Sequence, residues 1–525
     1  MRIKFLIFLE SFSARLSRPQ KILVLLLFVG GALLTGSSGL LSEDVSKVKE
    51  NSWLRVQNVG DTPALVKVAH YGYDGEQVAA EICPSAACRS VPAGSGWTFF
   101  TETNDDLPTQ FYGSTKITGD QPFVAVAGRD FMFSKDDGWY LLIGGDTYWL
   151  GASGSKVVLP FVEYVPEKYS RIHVNNVSTD TPACVKITYY REGEMQPSVS
   201  EPVTAEDGCP EGGYYLDPNE SMLRDAISLP VDLGFSGMGI VSSHVAVRDG
   251  FTVSVREQAI AAAVDTVSVE KEAFASYRGL SANEAGRDIV LPVIEREASK
   301  ADSDIESKWT SKFRIAPLNP TIPYTVSFRY NGSTEGGAEF EAEQEFLAEG
   351  ALTCDQGSIG TEACLPDLLE LPIGFSGTVR ISSAESMAVI VQRSSSNGAY
   401  GDYRGFTSRE ASTQVVLPVV NKTLAPWGGN DGWSSSVHVQ PFDGGEATVS
   451  FFYFSPELDA NGLYRPMGRI NGHQVFHQAD DRFLPDDWVG SLVVVSTRPI
   501  VALASLESDA FKGDPVMMYN GVSLE

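Results

Sequence analysis

Histidines are scarce in this chain, which contains only six in 525 residues. His473 and His477 stand four positions apart and are followed by Asp480 and Asp481. On a helix, this spacing would place two metal ligands on one face. The surrounding segment NGHQVFHQADDRF opens with Asn-Gly, however, which is typical of a hairpin turn. The sequence therefore predicts a hairpin or loop here and no bound metal.

Paired carboxylates are the second chemical candidate, and they occur at positions 105–106, 136–137, 480–481 and 486–487. Two carboxylates can hydrolyse a glycosidic bond or bind calcium. These pairs lie in turn-like stretches of different parts of the chain, which favours solvated turns. The chain also lacks a phosphate-binding loop and a Gly-x-Ser-x-Gly nucleophile motif. We therefore predict a protein that is not an enzyme, with no catalytic residues and no cofactor.

The six cysteines fall into three local pairs. Paired cysteines at similar places in different repeats predict disulfides and an oxidising compartment, with free buried thiols as the alternative. Loop closures this short stabilise the fold by roughly 2–3 kcal/mol each. The predicted pairs are Cys83 with Cys88, Cys184 with Cys209, and Cys354 with Cys364.

Aromatic side chains are concentrated between residues 97 and 149. Clustered aromatics suit contact with a glycan or a protein. The alternative is that they form the aromatic core of a single β-sandwich. The residues predicted as ligand contacts are Trp97, Phe99, Trp139 and Trp149.

The elements that must position these residues repeat four times along the chain. A glycine opens each repeat window: GSTKITGDQPFVAVA at Gly113, GFTVSVREQAIAAAV at Gly250, GTVRISSAESMAVIV at Gly377 and GSLVVVSTRPIVALA at Gly490. In the second repeat, the GFSG that ends at Gly237 offers a rival register. Internal repeats of this kind predict a string of small domains.

Each repeat is predicted to hold seven or eight short strands, because runs of period-two alternation are separated by turn residues. Leu-Pro strands at 159–160, 291–292 and 417–418 are predicted to close three repeats. The chain ends before a fourth such strand, which is either absent or donated by another chain. The fold class is all-β, with four tandem Ig-like β-sandwich domains over residues 53–160, 170–292, 309–418 and 433–525.

The N-terminal segment 22–41 is apolar or small throughout and is preceded by basic residues. About 20 such residues can span a bilayer as a helix. The positive-inside rule then places residues 1–21 in the cytoplasm and the repeats outside. We interpret segment 22–41 as a signal anchor, and a signal peptide cut near residues 37–39 is the alternative.

The formal net charge of −27 narrows the class of partner. Residues 1–41 hold five basic residues and one acidic residue, so the remainder carries −31. A body this acidic repels nucleic acid and anionic membrane surfaces. We predict membrane contact only through residues 22–41, no nucleic-acid partner, and a surface protein or glycan as ligand.

The opening run VQNVGDTPALVKVAHYGYDG, followed by VPAGSGW, resembles bacterial surface Ig-like repeats of the cell-adhesion-related (CARDB-like) kind. The similarity covers the first half of repeats one and two and is weaker in the other two. It implies an extracellular β-sandwich with an adhesive or structural role. It carries no functional residues to transfer, because fold alone does not determine function.

These observations together predict a non-enzymatic, membrane-anchored extracytoplasmic repeat protein with a structural or adhesive role at the cell surface. One alternative is an accessory subunit of a cell-envelope complex. The other is a carbohydrate-active enzyme with auxiliary sandwich domains, which the acidic pairs motivate.

Overall fold

A computed structural model describes residues 48–524, apart from gaps at 79–81, 110, 136–137, 149–152, 204–205, 207, 210, 226–227, 250–251, 269–272, 300–306, 397, 425–431, 456–457, 459–461 and 509–510. The described chain is all-β, as predicted, with short 3-10 turns at Thr101–Thr103, Gly360–Ala363 and Gln478–Asp480. No helix in this part of the chain is long and apolar enough to cross a membrane. The predicted segment 22–41 lies outside the described residues.

The strands fall into four groups by their pairing. Group 1 consists of a sheet in the order β4-β1-β6-β7 and a second sheet in the order β3-β2-β5. Alternating side chains such as Val66 and Val68 fill the core of this group. Its strands are β1 (Val48–Asn58), β2 (Ala64–Gly72), β3 (Cys88–Val91), β4 (Gly96–Phe100), β5 (Gly113–Gly119), β6 (Phe123–Lys135) and β7 (Gly138–Tyr148).

Group 2 forms one sheet network of eleven strands around an apolar core that also includes Ala316 and Ile390 of group 3. Its strands are β8 (Lys156–Val165), β9 (Lys168–Asn176), β10 (Ala183–Arg191), β11 (Val199–Glu201), β12 (Tyr214–Leu216), β13 (Ser221–Arg224), β14 (Phe235–Asp249), β15 (Thr252–Glu257), β16 (Ile260–Ser268), β17 (Ala273–Arg278) and β18 (Leu280–Ser281).

Group 3 is a network of nine strands whose core also includes Leu503 and Met518 of group 4. Its strands are β19 (Gly286–Arg296), β20 (Ala298–Ser299), β21 (Lys308–Pro317), β22 (Tyr324–Thr334), β23 (Glu339–Ala348), β24 (Leu352–Asp355), β25 (Phe375–Ser395), β26 (Tyr400–Arg404) and β27 (Phe406–Thr407).

Group 4 repeats the pairing of group 3, and its core also includes Val126 and Ile143 of group 1. Its strands are β28 (Ser412–Lys422), β29 (Trp433–Pro441), β30 (Glu446–Phe454), β31 (Leu463–Asn471), β32 (Gln474–His477), β33 (Trp488–Ser508), β34 (Lys512–Asp514), β35 (Val516–Asn520) and β36 (Val522–Ser523). Strand β34 leaves this group and pairs in parallel with β7 of group 1.

Long strands connect the two layers of groups 3 and 4. The first half of the 21-residue strand β25 pairs with β19 and β22, and its second half pairs with β21 and β26. Strand β33 is divided in the same way among β28, β30, β29 and β35. One chain segment therefore contributes to both faces of the core, as in a two-layer β-sandwich.

The structure corrects the expected role of the Leu-Pro strands, which pair with the group that follows them. Leu159 lies opposite Gly239, Leu291 opposite Val379, and Leu417 opposite Leu492. Each Leu-Pro strand is therefore the first strand of the next group rather than the closing strand of the previous one. Group 4 already contains its Leu-Pro strand β28. The fourth closing strand that we expected to be absent or donated by another chain is therefore not needed to complete this group.

The structure also corrects the register of the second repeat. Gly237 pairs with Arg191 as Gly113 pairs with Gly72, so Gly237 is the repeat glycine. Gly250 lies in a gap of the described chain, between the paired strands β14 and β15. This inserted hairpin alternates apolar and polar residues like the strands it interrupts, which is why the window at Gly250 resembled the others.

A tyrosine holds each Leu-Pro strand in place. Strands β19 and β28 shift register next to their proline, because proline cannot donate a hydrogen bond to the sheet. In β8, the hydroxyl of Tyr277 donates to the carbonyl of Phe161 at 2.6 Å and accepts from the Phe161 N–H at 3.0 Å. Tyr403 and Tyr519 bond in the same way to the residue that follows the proline of β19 and β28, respectively. We call these three residues the clamp tyrosines.

The four groups do not form the expected string but close into a ring. Strand β7 contacts β17, β17 contacts β26, β26 contacts β35, and β35 contacts β7. These four strands are equivalent members of successive groups. Contact between the last group and the first completes the cycle, and the guanidinium Nε of Arg55 donates to the carbonyl of Pro418 at 2.7 Å.

Candidate functional site

The predicted histidine pair lies on a hairpin, as the Asn-Gly signal indicated, and the two rings face different partners. The ring of His473 stacks on His438 with centroids 5.3 Å apart, and Nε2 of His473 lies 3.1 Å from Nδ1 of His438. The Nδ1 atom of His477 lies 3.0 Å from the hydroxyl of Ser436. Among the described residues, no three His, Cys, Asp or Glu side chains are close enough together to hold a metal.

Two of the predicted aromatic contacts lie in or against the core of group 1. Phe99 is buried, and Trp97 packs against the same cluster with the guanidinium of Arg89 5.3 Å from its ring. Trp139 belongs to β7, but its side chain is not among those that the structure describes. Trp149 lies outside the described residues. The two described rings therefore contribute to core packing.

The acidic pairs are distributed over separate turns. Asp480 and Asp481 end a 3-10 turn, and Asp481 lies 3.6 Å from Arg465. Asp486 lies 3.1 Å from Lys422 on the neighbouring strand. The pair at 105–106 also follows a 3-10 turn, and the pair at 136–137 lies in a gap. The structure does not bring the described pairs together.

The predicted cysteine pairs form three disulfides. They join Cys83 to Cys88, Cys184 to Cys209, and Cys354 to Cys364. The bridges Cys83–Cys88 and Cys354–Cys364 lie in the variable segment that follows the second long strand of their group, and the bridge Cys184–Cys209 ties this segment to the second long strand β10 itself. This segment is the part of each group that differs most in sequence, and the disulfide fixes its shape.

Small residues of three strands meet the larger side chains Met517 and Met518 of β35 at the centre of the ring. Gly144 and Gly145 of β7, Ser276 of β17 and Gly401 of β26 line a space that has no room for a water molecule. A Cβ atom on Gly144 would lie 2.7 Å from the backbone nitrogen of Ser276. Only glycine allows this approach, so the junction depends on close backbone contact between groups.

Buried charges link the groups around this centre. The guanidinium Nε of Arg404 in group 3 donates to the carboxylate of Asp146 in group 1 at 3.0 Å. The same guanidinium bonds Glu410 at 3.0 Å and the hydroxyl of Thr147 at 3.3 Å. Asp146 also accepts from the backbone N–H of Arg278 in group 2. Three groups are therefore joined through a single carboxylate.

Two further carboxyl groups at the junction are buried. Asp514 accepts from the backbone N–H groups of Phe274, at 3.1 Å, and Tyr400, at 2.6 Å. Burial holds the pKa of Asp514 well above its usual range. Burial also raises the pKa of Asp402 to about 8. Both side chains therefore favour their neutral forms at the centre of the ring.

Exposed apolar side chains occur in the variable segments of all four groups. Isolated residues of this kind are common on protein surfaces. Their shared position in the repeat is what makes them a candidate contact surface, which we call the apolar tips. They are Ile82 (72% exposed), Val203 (86%), Leu368 (90%) and Phe483 (50%).

The loop that carries Leu368 is the most informative of these tips. The Cys354–Cys364 disulfide and a 2.7 Å hydrogen bond from the N–H of Gly360 to the carbonyl of Leu369 fix its shape. Leu368 has a left-handed backbone with φ of 64°, which costs an L-residue about 1–2 kcal/mol. The backbone of Leu368 is strained and its side chain is exposed, so this residue contributes little to the stability of the fold. Strained residues of this kind often lie at functional sites.

Sequence reasoning missed these junction and tip residues. The sequence Tyr-Arg-Gly occurs at both 277–279 and 403–405, and its arginines bond Thr147 and Asp146 of group 1. The sequence signal that could have identified these junction residues is an arginine, Arg278 or Arg404, at the same position of an otherwise apolar strand in two groups. No comparable sequence signal distinguishes Leu368.

Comparison with known proteins gives no family. No family model and no curated protein matches the chain. Solved structures match weakly. A protein of infectious bursal disease virus, Gt strain, is 10% identical over 91% of this chain and 86% of its own, with a TM-score of 0.12. The tetra-tandem repeat in the extending region of a large adhesion protein is 11% identical over 89% and 93%, with a TM-score of 0.09.

Proposed function

We propose that this chain is a non-enzymatic, membrane-anchored extracytoplasmic protein of four Ig-like sandwich domains with a structural or adhesive role at the cell surface. The ring presents its variable segments to a protein partner, and the Leu368 loop makes the central contact. The observation that carries this proposal is the strained, 90% exposed leucine on a disulfide-fixed loop.

The disulfides and the ring support this role. Three disulfides suit an oxidising compartment outside the cytoplasm. The buried contacts between groups make the ring a rigid platform, and a rigid platform loses little entropy when it binds. Anchoring through residues 22–41 rests on their composition.

The test is purification of the tagged full-length chain from its native membranes, followed by mass spectrometry of the retained proteins. Leu368→Asn is the diagnostic variant, because asparagine tolerates the left-handed backbone. Leu347→Asn is the matched control, because Leu347 is 74% exposed but lies in the regular strand β23.

A partner retained by the wild type and the control but lost from Leu368→Asn supports the proposal. Equal retention by all three chains removes the loop from the contact. A partner retained in fixed stoichiometry that is itself an envelope enzyme makes the chain an accessory subunit of that complex.

A further inference from the structure

The three disulfides differ in how accessible their cysteines are. Cys83 is exposed, whereas its partner Cys88 is fully buried. In the other two bridges both cysteines are buried, and these are Cys184 with Cys209 and Cys354 with Cys364. A thiol can exchange with a disulfide only where it reaches one of the two sulfur atoms. The folded chain therefore offers the Cys83–Cys88 bridge, and neither of the others, to a dissolved thiol.

The Cys83–Cys88 bridge lies on the outer face of its sheet, away from the core of group 1. In β2, Val66 and Val68 point into that core, so Lys67 between them points outward. Cys88 of β3 pairs directly opposite Lys67, and directly opposed residues share one face of a sheet. Cys88 is therefore buried beneath its own loop rather than in the core, and opening the bridge leaves the core closed.

Lys67 favours cleavage of this bridge. Directly opposed residues of antiparallel strands have Cβ atoms about 4.5–5.5 Å apart, which places the ammonium group of Lys67 within reach of the Cys88 sulfur. A nearby cation stabilises a thiolate, and a more stable thiolate is a faster leaving group in disulfide exchange. Attack at the exposed Cys83 therefore expels Cys88 beside a positive charge.

The other contacts of the loop hold group 1 together when the bridge is open. Strand β3 remains paired with β2, and the N–H of Val68 donates to the carbonyl of Ala87 at 2.8 Å. The bridged cysteines are 5 positions apart, against 25 and 10 in the other two bridges. The shortest loop closure contributes the least stability. Opening this bridge therefore frees the segment next to Ile82, the apolar tip of group 1, without unfolding the ring.

We propose that the Cys83–Cys88 bridge is a thiol-exchange site that reacts with a low-molecular-weight thiol and thereby switches the tip of group 1 between a fixed and a free loop. The thiolate of the small molecule attacks Sγ of Cys83, the S–S bond breaks, and its electron pair leaves on Sγ of Cys88, which then takes up a proton. The small molecule is now held on Cys83 as a mixed disulfide.

A second molecule of the same thiol completes the reduction. Its thiolate attacks the sulfur of the bound molecule, so that Cys83 leaves and is protonated to a thiol while the two small molecules become one disulfide. The bridge gains the two electrons that the small thiols lose. Oxidation by the small disulfide reverses both steps and closes the loop again. The reaction does not depend on the proposed role at the cell surface.

The test is reduction of the folded full-length chain by reduced glutathione, with iodoacetamide to trap free thiols and peptide mass mapping to locate them. Cys83 and Cys88 should be alkylated at least about tenfold faster than the other four cysteines. Hydrogen exchange of the reduced chain should rise in the segment between these two cysteines and stay unchanged in groups 2, 3 and 4. Opening of all three bridges at one rate, or opening of either buried bridge first, would overturn the proposal.

Two single-cysteine variants test the direction of attack. Cys88→Ser retains the exposed Cys83, and Cys83→Ser retains the buried Cys88. With glutathione disulfide, the first variant should form its mixed disulfide at least about tenfold faster than the second, because access limits the reaction. Equal rates would show that Cys83 is not the point of attack and would overturn the proposed first step.

A charge variant tests the leaving group. Lys67→Gln should slow opening of the wild-type bridge by about two- to fivefold, the effect of one close charge near the surface. Lys116→Gln is the matched control, because Lys116 lies on the same sheet face but pairs with Ala69 on the far side of β2. Equal rates in the two variants would overturn the role of Lys67.

Discussion

Removing one hydroxyl from a clamp tyrosine tests how the sheets hold their Leu-Pro strands. Tyr277 is 1% exposed, and its hydroxyl bonds both the N–H and the carbonyl of Phe161. In Tyr277→Phe, the ring still fills the core of group 2, but both backbone groups lose their partner. Phe161 is fully buried, so water cannot replace the hydroxyl without rearrangement.

The expected magnitude follows from this count. A buried polar group left without a partner costs about 1–3 kcal/mol. Two such groups predict a loss of about 2–6 kcal/mol in the free energy of unfolding of group 2. Tyr324→Phe removes one hydrogen bond, from the Tyr324 hydroxyl to the carbonyl of Gly350, and should cost about 1 kcal/mol. Tyr464, which is 53% exposed, is the control and should change stability by less than about 0.5 kcal/mol.

The assay is urea unfolding of the full-length chain, read by hydrogen exchange of peptides from each group. A ring of several groups need not unfold in one step, so exchange must be resolved by group. Peptides from β8 and β14 should lose protection in Tyr277→Phe before those of groups 1 and 4. If Tyr277→Phe and Tyr464→Phe had the same midpoints and the same exchange, the clamp would contribute nothing and the reasoning would be wrong.

Three further outcomes are expected. Arg404→Met removes the ion-pair partner of the buried carboxylate of Asp146 and of the carboxylate of Glu410 and should cost about 3–5 kcal/mol in urea unfolding; an unchanged midpoint would show that the junction does not hold the ring together. The folded-state pKa of Asp402 is raised to about 8 from an ordinary value of 3.8, so the folded state binds more protons and stability falls as pH rises between these values. Asp402→Asn should therefore gain stability relative to the wild type on going from pH 4 to pH 8, and a constant difference would contradict this. Leu368→Asn should raise the unfolding free energy by up to about 1 kcal/mol through relief of the left-handed leucine; in the same variant, partner recovery should fall about fivefold or more, and loss of stability would show that the leucine supports the fold.

Local features of this chain could be predicted from its sequence. Strand alternation such as Val66-Lys67-Val68 and the hairpin around His473 depend on neighbouring residues, and both predictions agree with the structure. The cysteine pairs are close in sequence, so few partners competed for each thiol. Short-range patterns of this kind are set by backbone alternation and turn chemistry.

Pairing between distant segments was decided only by the tertiary structure. The Leu-Pro strand at Leu159 lies between two repeats, and its apolar pattern suits either one. It belongs to group 2 because β14 offers it a free edge and Tyr277 satisfies its backbone. The period-two pattern of a strand specifies which side chains are buried but not which edge the strand joins, so the sequence allowed both assignments.

The closure of the four groups into a ring could not be predicted from the sequence repeats. Arg404 and Asp146 are 258 positions apart, and nothing in the local pattern of either strand relates them. The sequence by itself determined the strands, the turns and the disulfide pairs. The tertiary structure decided that strands β17 and β26, which end with Tyr-Arg, meet at one centre. The reason is that the buried charges are satisfied only when residues from different groups come together.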